Sequence, residues 1–170
     1  MRLITAMAII GVASTAGAAT HRGGPRGATA VLQSKAGVTM GAAEIVRQRG
    51  RDVLKLRVSG QTPGEHGVHF HAIGRCDGPD FTSAGAHWNP GGKQHGLHNP
   101  AGPHQGDLPN IQVAADGRGT LTVPLSFRAA RLFDADGTAL IVHATADDYR
   151  TDPSGNSGGR VLCGVLQPAR

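Results

Sequence analysis

Aromatic side chains are scarce in this chain: one Trp, one Tyr and four Phe among 170 residues. Bases bound as single strands are held on aromatic platforms, so a nucleic-acid partner is not expected. Cysteine is limited to Cys76 and Cys163, and neither has a close Cys neighbour, which weakens a zinc site built from thiolates. Apolar runs are short. The longest, Leu3 to Val12, falls below the roughly 20 residues that a membrane-spanning helix requires, so no membrane span is expected.

Glycine and histidine are plentiful instead, with 26 Gly and nine His. Gly costs about 1 kcal/mol against Ala inside a helix, so a helical bundle is disfavoured. A hydrophobic content of 39% still supports one globular core, and the length suits a single domain. Seventeen Lys+Arg against 12 Asp+Glu give a net charge of +5.

The first 18 residues read as a secretory signal: Arg2 supplies the positive start, then the apolar run, then Ala16-Gly17-Ala18 as an Ala-x-Ala cleavage site. Cleavage there leaves 170 − 18 = 152 residues and, with Arg2 lost, a charge of +4. The expected location is therefore periplasmic or otherwise secreted. The segment 19–27 (ATHRGGPRG) is expected to be a mobile leader, and 28–170 the folded domain. A chain starting at Ala19-Thr20-His21 could also chelate Cu(II) or Ni(II) in a square plane. In an oxidising compartment the even pair Cys76 and Cys163 reads as a disulfide, in preference to two metal-binding thiolates.

The domain reads as short strands and turns. Strand signals cover 28–33, 38–48, 52–58, 68–73, 111–115, 120–127, 139–144 and 161–166. In the third, Leu54, Leu56 and Val58 share one face, and Lys55 and Arg57 the other. About eight such strands predict an all-β antiparallel sandwich or barrel. Two long polar stretches, 74–109 and 145–160, interrupt it, and loops of that length are usually functional.

His69 and His71 lie two apart in a strand, so both rings project from one face. His87, His95, His104 and Asp107 follow in the first long loop among Gly and Pro, and His143 lies in a later strand. Imidazole without thiolate suits Cu(II) or Zn(II). Net charge is uneven: residues 22–57 hold eight Arg/Lys against Glu44 and Asp52, whereas 58–170 hold eight against ten acidic residues. A solvated sheet face is the preferred reading of that excess.

The blocks GEHGVHFHAIGRC, DFTSAGAHWNP, KQHG, GPHQGDLPN, ALIVHATADDY and GNSGGRVLCGV, in this order, resemble the bacterial copper–zinc superoxide dismutases over most of the chain. The resemblance implies a flattened Greek-key barrel with one copper and one zinc per subunit. It implies copper on His69, His71, His87 and His143, and zinc on His87, His95, His104 and Asp107, with His87 shared. It further implies a Cys76–Cys163 disulfide, Arg160 guarding the approach to copper, and Asp147 linking ligands of the two metals. His66 matches a structural position, and His98 is expected to be an exposed loop residue. The implied activity is dismutation of superoxide, catalysed by Arg160 and His87 around a redox-cycling copper. A non-catalytic copper/zinc buffer or delivery protein is the alternative. A homodimer is one assembly open to such a chain.

Overall fold

Alternating burial along the third strand follows the sequence pattern: Leu54, Leu56 and Val58 are buried, whereas Arg51 and Arg57 are exposed. A computed structural model describes residues 27–169. The expected signal segment 1–18, the leader up to residue 26, His21 and Arg170 lie outside the described residues. Among the described residues the strands run β1 (Ala28–Ser34), β2 (Thr39–Gln48), β3 (Arg51–Val58), β4 (Gly64–His66), β5 (Val68–His71), β6 (Ile111–Val113), β7 (Gly119–Pro124), β8 (Ala139–His143), β9 (Arg160–Val165) and β10 (Gln167–Pro168). Two single 3-10 turns, Thr82–Ala84 and Ala129–Leu132, are the helical elements among the described residues, and among these residues no helix is long and apolar enough to cross a membrane.

All pairings are antiparallel, in the order β4-β6-β7-β3-β2-β1-β9-β8-β5, with β10 added to β1. Non-consecutive neighbours, β3 with β7 and β1 with β9, make the Greek-key crossings. The two ends of that order, β4 and β5, are separated in the chain by Gly67 alone, which rolls the sheet into a nearly closed flattened barrel. Its interior is filled by Leu32, Ile45, Leu54, Leu56, Phe70, Ile111, Leu140 and Leu162.

Strand ends differ from the sequence pattern for local reasons. The strand expected to reach Ile73 leaves β8 after His71, because Ala72 and Ile73 donate to Ala86 and Ala84 in the first long loop. Pro124 ends β7, and the next amide, Leu125, donates to the carbonyl of Asp52. β4 and β10 are too short and polar to show an apolar alternation, and they exist through their partners β6 and β1.

Asp52 closes the barrel floor. Its carboxylate is buried, accepts hydrogen bonds from Arg47 Nη1 at 3.1 Å and the Ala129 amide at 2.7 Å, and pairs with Arg128 Nε at 3.3 Å. It thereby pins the 125–132 connection to the β2–β3 hairpin. Asp52→Asn is expected to destabilise the fold by about 1.5–3 kcal/mol, the usual worth of hydrogen bonds to a charged group. Urea unfolding tests this, and an unchanged midpoint and slope would contradict the anchoring role.

Candidate metal centre

The free edge of β5 is where the first long loop docks. Phe70 donates to Gly106 O and accepts from the Trp88 amide, and Gly106 donates to Trp88 O. Isolated bridges pair His71 with His87 and His69 with Asp107. The loop residues 86–88 and 106–107 thus behave as extra pieces of strand, which brings His87 and Asp107 against the two histidines of β5. β8 pairs with β5 on the other side and carries His143 at its end, opposite Arg160 of β9.

His69, His71, His87 and His143 each offer a ligand atom within 4.8 Å of the others, and all four are buried. Their tautomers are set by what lies behind them. His71 Nδ1 donates to Gly85 O at 2.9 Å, and His143 Nδ1 to Gly158 O at 3.1 Å. His69 Nε2 donates to Asp147 Oδ2 at 2.7 Å. The opposite nitrogens, His71 Nε2, His143 Nε2 and His69 Nδ1, are buried with no hydrogen-bond partner. Burial is the leading cause that lowers their pKa values, to about 4 for His69, about 3 for His143 and about 2 for His71. At neutral pH they present lone pairs, not protons. Three orphaned imidazole nitrogens in one buried spot fit a cation that prefers nitrogen donors.

A second cluster adjoins the first. The Nδ1 atoms of His87, His95 and His104 lie 3.0, 3.1 and 3.2 Å from one oxygen, Asp107 Oδ1. Asp107 Oδ2 is held by the amides of Gly96 and His104, both at 2.9 Å. Burial opposes the Asp107 charge, yet the hydrogen bonds from His87, His95 and Gly96 keep its carboxyl well below the usual carboxylate range. Three imidazoles and a carboxylate about one point match a tetrahedral divalent site. His69, His87, His95 and Asp107 are also mutual neighbours, but His69 spends Nε2 on Asp147 and turns Nδ1 to the first cluster. His104 is the better fourth donor.

His87 belongs to both clusters. Its Nδ1 faces Asp107, its ring stacks on His69 with centroids 3.9 Å apart, and its centroid is 4.9 Å from that of His71. Burial lowers its pKa, with the Asp107 contact working against that trend.

Asp147 joins the clusters from the second loop: Oδ2 receives His69 Nε2, and Oδ1 receives His95 Nε2 at 3.0 Å. Its own backbone is exchanged with the Asn110 side chain, and Tyr149 donates its amide to Oδ1 at 2.7 Å. Burial disfavours its charge, while His69 and His95 hold its carboxyl well below the usual range. His95, between two carboxylates, shows the opposite balance. Burial lowers its pKa, but Asp107 and Asp147 outweigh it and raise the value to about 9. Gly155 lies over this contact with φ +64, and a Cβ there would collide with Asp147 Oδ1.

Arg160 donates Nη1 to Phe81 O at 2.5 Å and Nη2 to Gly85 O at 2.6 Å. The second carbonyl also receives His71 Nδ1, so the guanidinium is bolted to the loop beside the first cluster. Cys76 and Cys163 are bonded, with Cα atoms 5.7 Å apart. His66 is buried and spans His143 O at 2.7 Å and Thr62 O at 2.8 Å, whereas His98 is exposed against the Tyr149 ring. The carbonyls of Gly85 and Gly158, and the Asn110–Tyr149 support behind Asp147, have no signal in the sequence because they act through backbone or through turn geometry.

Residues 39–166 match the family model described as copper/zinc superoxide dismutase. The chain is 45% identical over 148 residues to a Cu-Zn superoxide dismutase of Caulobacter vibrioides, covering 82% of this chain and 85% of that one. It is 41% identical over 143 residues to Cu-Zn superoxide dismutase 1 of Aquifex aeolicus, covering 80% and 85%. Among solved structures, a SOD-like protein from Bacillus subtilis superposes with a TM-score of 0.76 at 38% identity, covering 82% of this chain and 97% of that one. The Cu/Zn superoxide dismutase from Brucella abortus gives 0.70 at 28% identity, covering 83% and 99%. Two adjoining nitrogen-rich clusters on a Greek-key barrel and a family match spanning most of the fold lead to one conclusion: the chain belongs to the copper–zinc superoxide dismutase family.

Proposed function

We propose that this protein dismutates superoxide to dioxygen and hydrogen peroxide, with copper in the first cluster and zinc in the second. The observation that carries this reading is the set of three buried, partnerless imidazole nitrogens beside a fourth histidine that also belongs to the Asp107 cluster. Copper, when bound, supplies the one-electron couple that two superoxide ions need, and zinc supplies fixed charge and shape. His69, His71, His143 and His87 would hold the copper, the first three through their partnerless nitrogens. His87, His95, His104 and Asp107 would hold the zinc.

The chain's own groups do the rest. Gly85 O, Gly158 O and Asp147 fix the ring orientations, so the donor geometry exists before a metal arrives. His87, anchored through Nδ1, leaves Nε2 for the first cluster, where it would serve either as a copper donor or as the carrier of a proton. Arg160, its cation held by two carbonyls, draws a small anion toward His71 and His143.

The disulfide supports an oxidising compartment, and with it the reading of 1–18 as a cleaved signal, 19–27 as a leader and 28–170 as the catalytic domain, in the periplasm or outside the cell. The deciding experiment is to load one copper and one zinc and follow superoxide decay directly. Decay no faster than with the same copper on an unrelated protein would leave the buffer reading. In the same assay Arg160→Ala should keep both metals, lose about tenfold in rate and show a flatter dependence on ionic strength. An unchanged rate and salt slope would remove Arg160 from substrate guidance.

A further inference from the structure

The second loop reaches the Asp107 cluster through two carboxylates. Asp147 faces it from within, with both oxygens on imidazoles. Asp152 approaches from the outside. Its Oδ1 accepts the backbone N–H of His95 at 2.5 Å, and the same oxygen lies 3.9 Å from His104 Nε2. The turn that presents it is built in advance. Asp148 accepts the amides of Arg150 and Thr151, the Thr151 hydroxyl and the Asn156 side chain, and Gly155 donates back to Thr151 O.

His104 turns Nδ1 toward Asp107, so a cation held there leaves Nε2 as the protonated nitrogen of that ring. Asp152 Oδ1 is the carboxylate oxygen that faces it. We infer that Asp152 is a positioning residue for zinc: it fixes the main chain of His95 and sets a negative charge 3.9 Å from His104 Nε2. This rests on the zinc reading of the Asp107 cluster. The two carboxylates differ in reach. Asp147 touches His69 and His95 and so serves both clusters, whereas Asp152 contacts donors of the zinc cluster only. The side chain of Asp152 is 46% exposed, so solvent screens its charge and places its effect toward the lower end of the 10–100-fold range typical of groups behind a ligand.

The test uses the full chain carrying copper and zinc. Transfer of zinc to a chromogenic chelator and transfer of copper to a copper chelator are timed separately, and Co(II) placed in the zinc position reports ligand geometry by its visible spectrum. Asp152→Ala should release zinc about tenfold faster and alter the cobalt bands, with copper transfer unchanged. Asp152→Asn keeps an oxygen for the His95 amide and removes the charge, so its zinc release should fall between the two. Zinc release from Asp152→Ala at the wild-type rate would overturn the inference. Equal acceleration of both metals would also overturn it, because that is general loosening of the loop. A wild-type protein that takes up no zinc would overturn the zinc reading itself, and the inference with it.

Discussion

Replacing His87 with alanine is expected to cost both metals and almost all superoxide dismutation. Its ring lies between the two clusters: its Nδ1 is 3.0 Å from Asp107 Oδ1, and the ring lies against His69 and His71. Loss of a group that merely supports a ligand typically costs about 10–100-fold in metal affinity or activity. Loss of a shared ligand should exceed that range for zinc and copper together. The vacated volume also exposes Asp107 and the His69 ring to water, which weakens the buried electrostatics of the whole centre. The comparison that isolates the sharing is His104→Ala, which belongs to the Asp107 cluster alone and should impair zinc far more than copper. Metal content after exhaustive dialysis and direct superoxide decay read both variants. A His87→Ala protein that retains one copper, one zinc and most of its activity would show that the two clusters do not depend on a common ring.

The second large effect concerns the disulfide. Cys76 and Cys163 are 87 positions apart, and in the chain-entropy model a closed loop of that length is worth about 4–5 kcal/mol. A Cys76→Ser, Cys163→Ser double variant should therefore lose several kcal/mol in denaturant unfolding of the metal-free protein. A catalytic consequence follows from where the bridge lies. Cys163 is buried in β9 among Phe81, Ala84, Ala139 and Ile141, so the bridge holds the loop segment leading from Cys76 to Gly85 against the barrel. Gly85 O accepts both His71 Nδ1 and Arg160 Nη2. Freeing the segment should loosen one ring of the copper set and the guanidinium together, so superoxide decay should slow even in the fully metal-loaded variant. A stability loss below about 1 kcal/mol with undiminished activity would mean that the Phe81–Gly85 packing holds the loop without the bond.

The class of fold was legible in the residues alone, and so were the histidines and the carboxylate that the fold gathers into two clusters. Alternation in 52–58 placed Leu54, Leu56 and Val58 inside because a strand turns its side chains over every residue, and that rule needs no partner to be legible. His69 and His71 were readable as a pair for the same reason, and the ordered blocks around them carried the family resemblance. Short pairings were not legible. β4 and β10 have too few residues to show a period and are held by hydrogen bonds supplied from β6 and β1. Tertiary structure alone decided which nitrogen of each ring is bare, because that depends on carbonyls at Gly85 and Gly158 and on a carboxylate 78 residues away from His69. It also decided that Asp152 reaches the His95 amide across 57 positions. Residue types announce which atoms can bind a metal. Their protonation and aim are set by non-local partners, and a linear sequence does not display those until the chain has closed on itself.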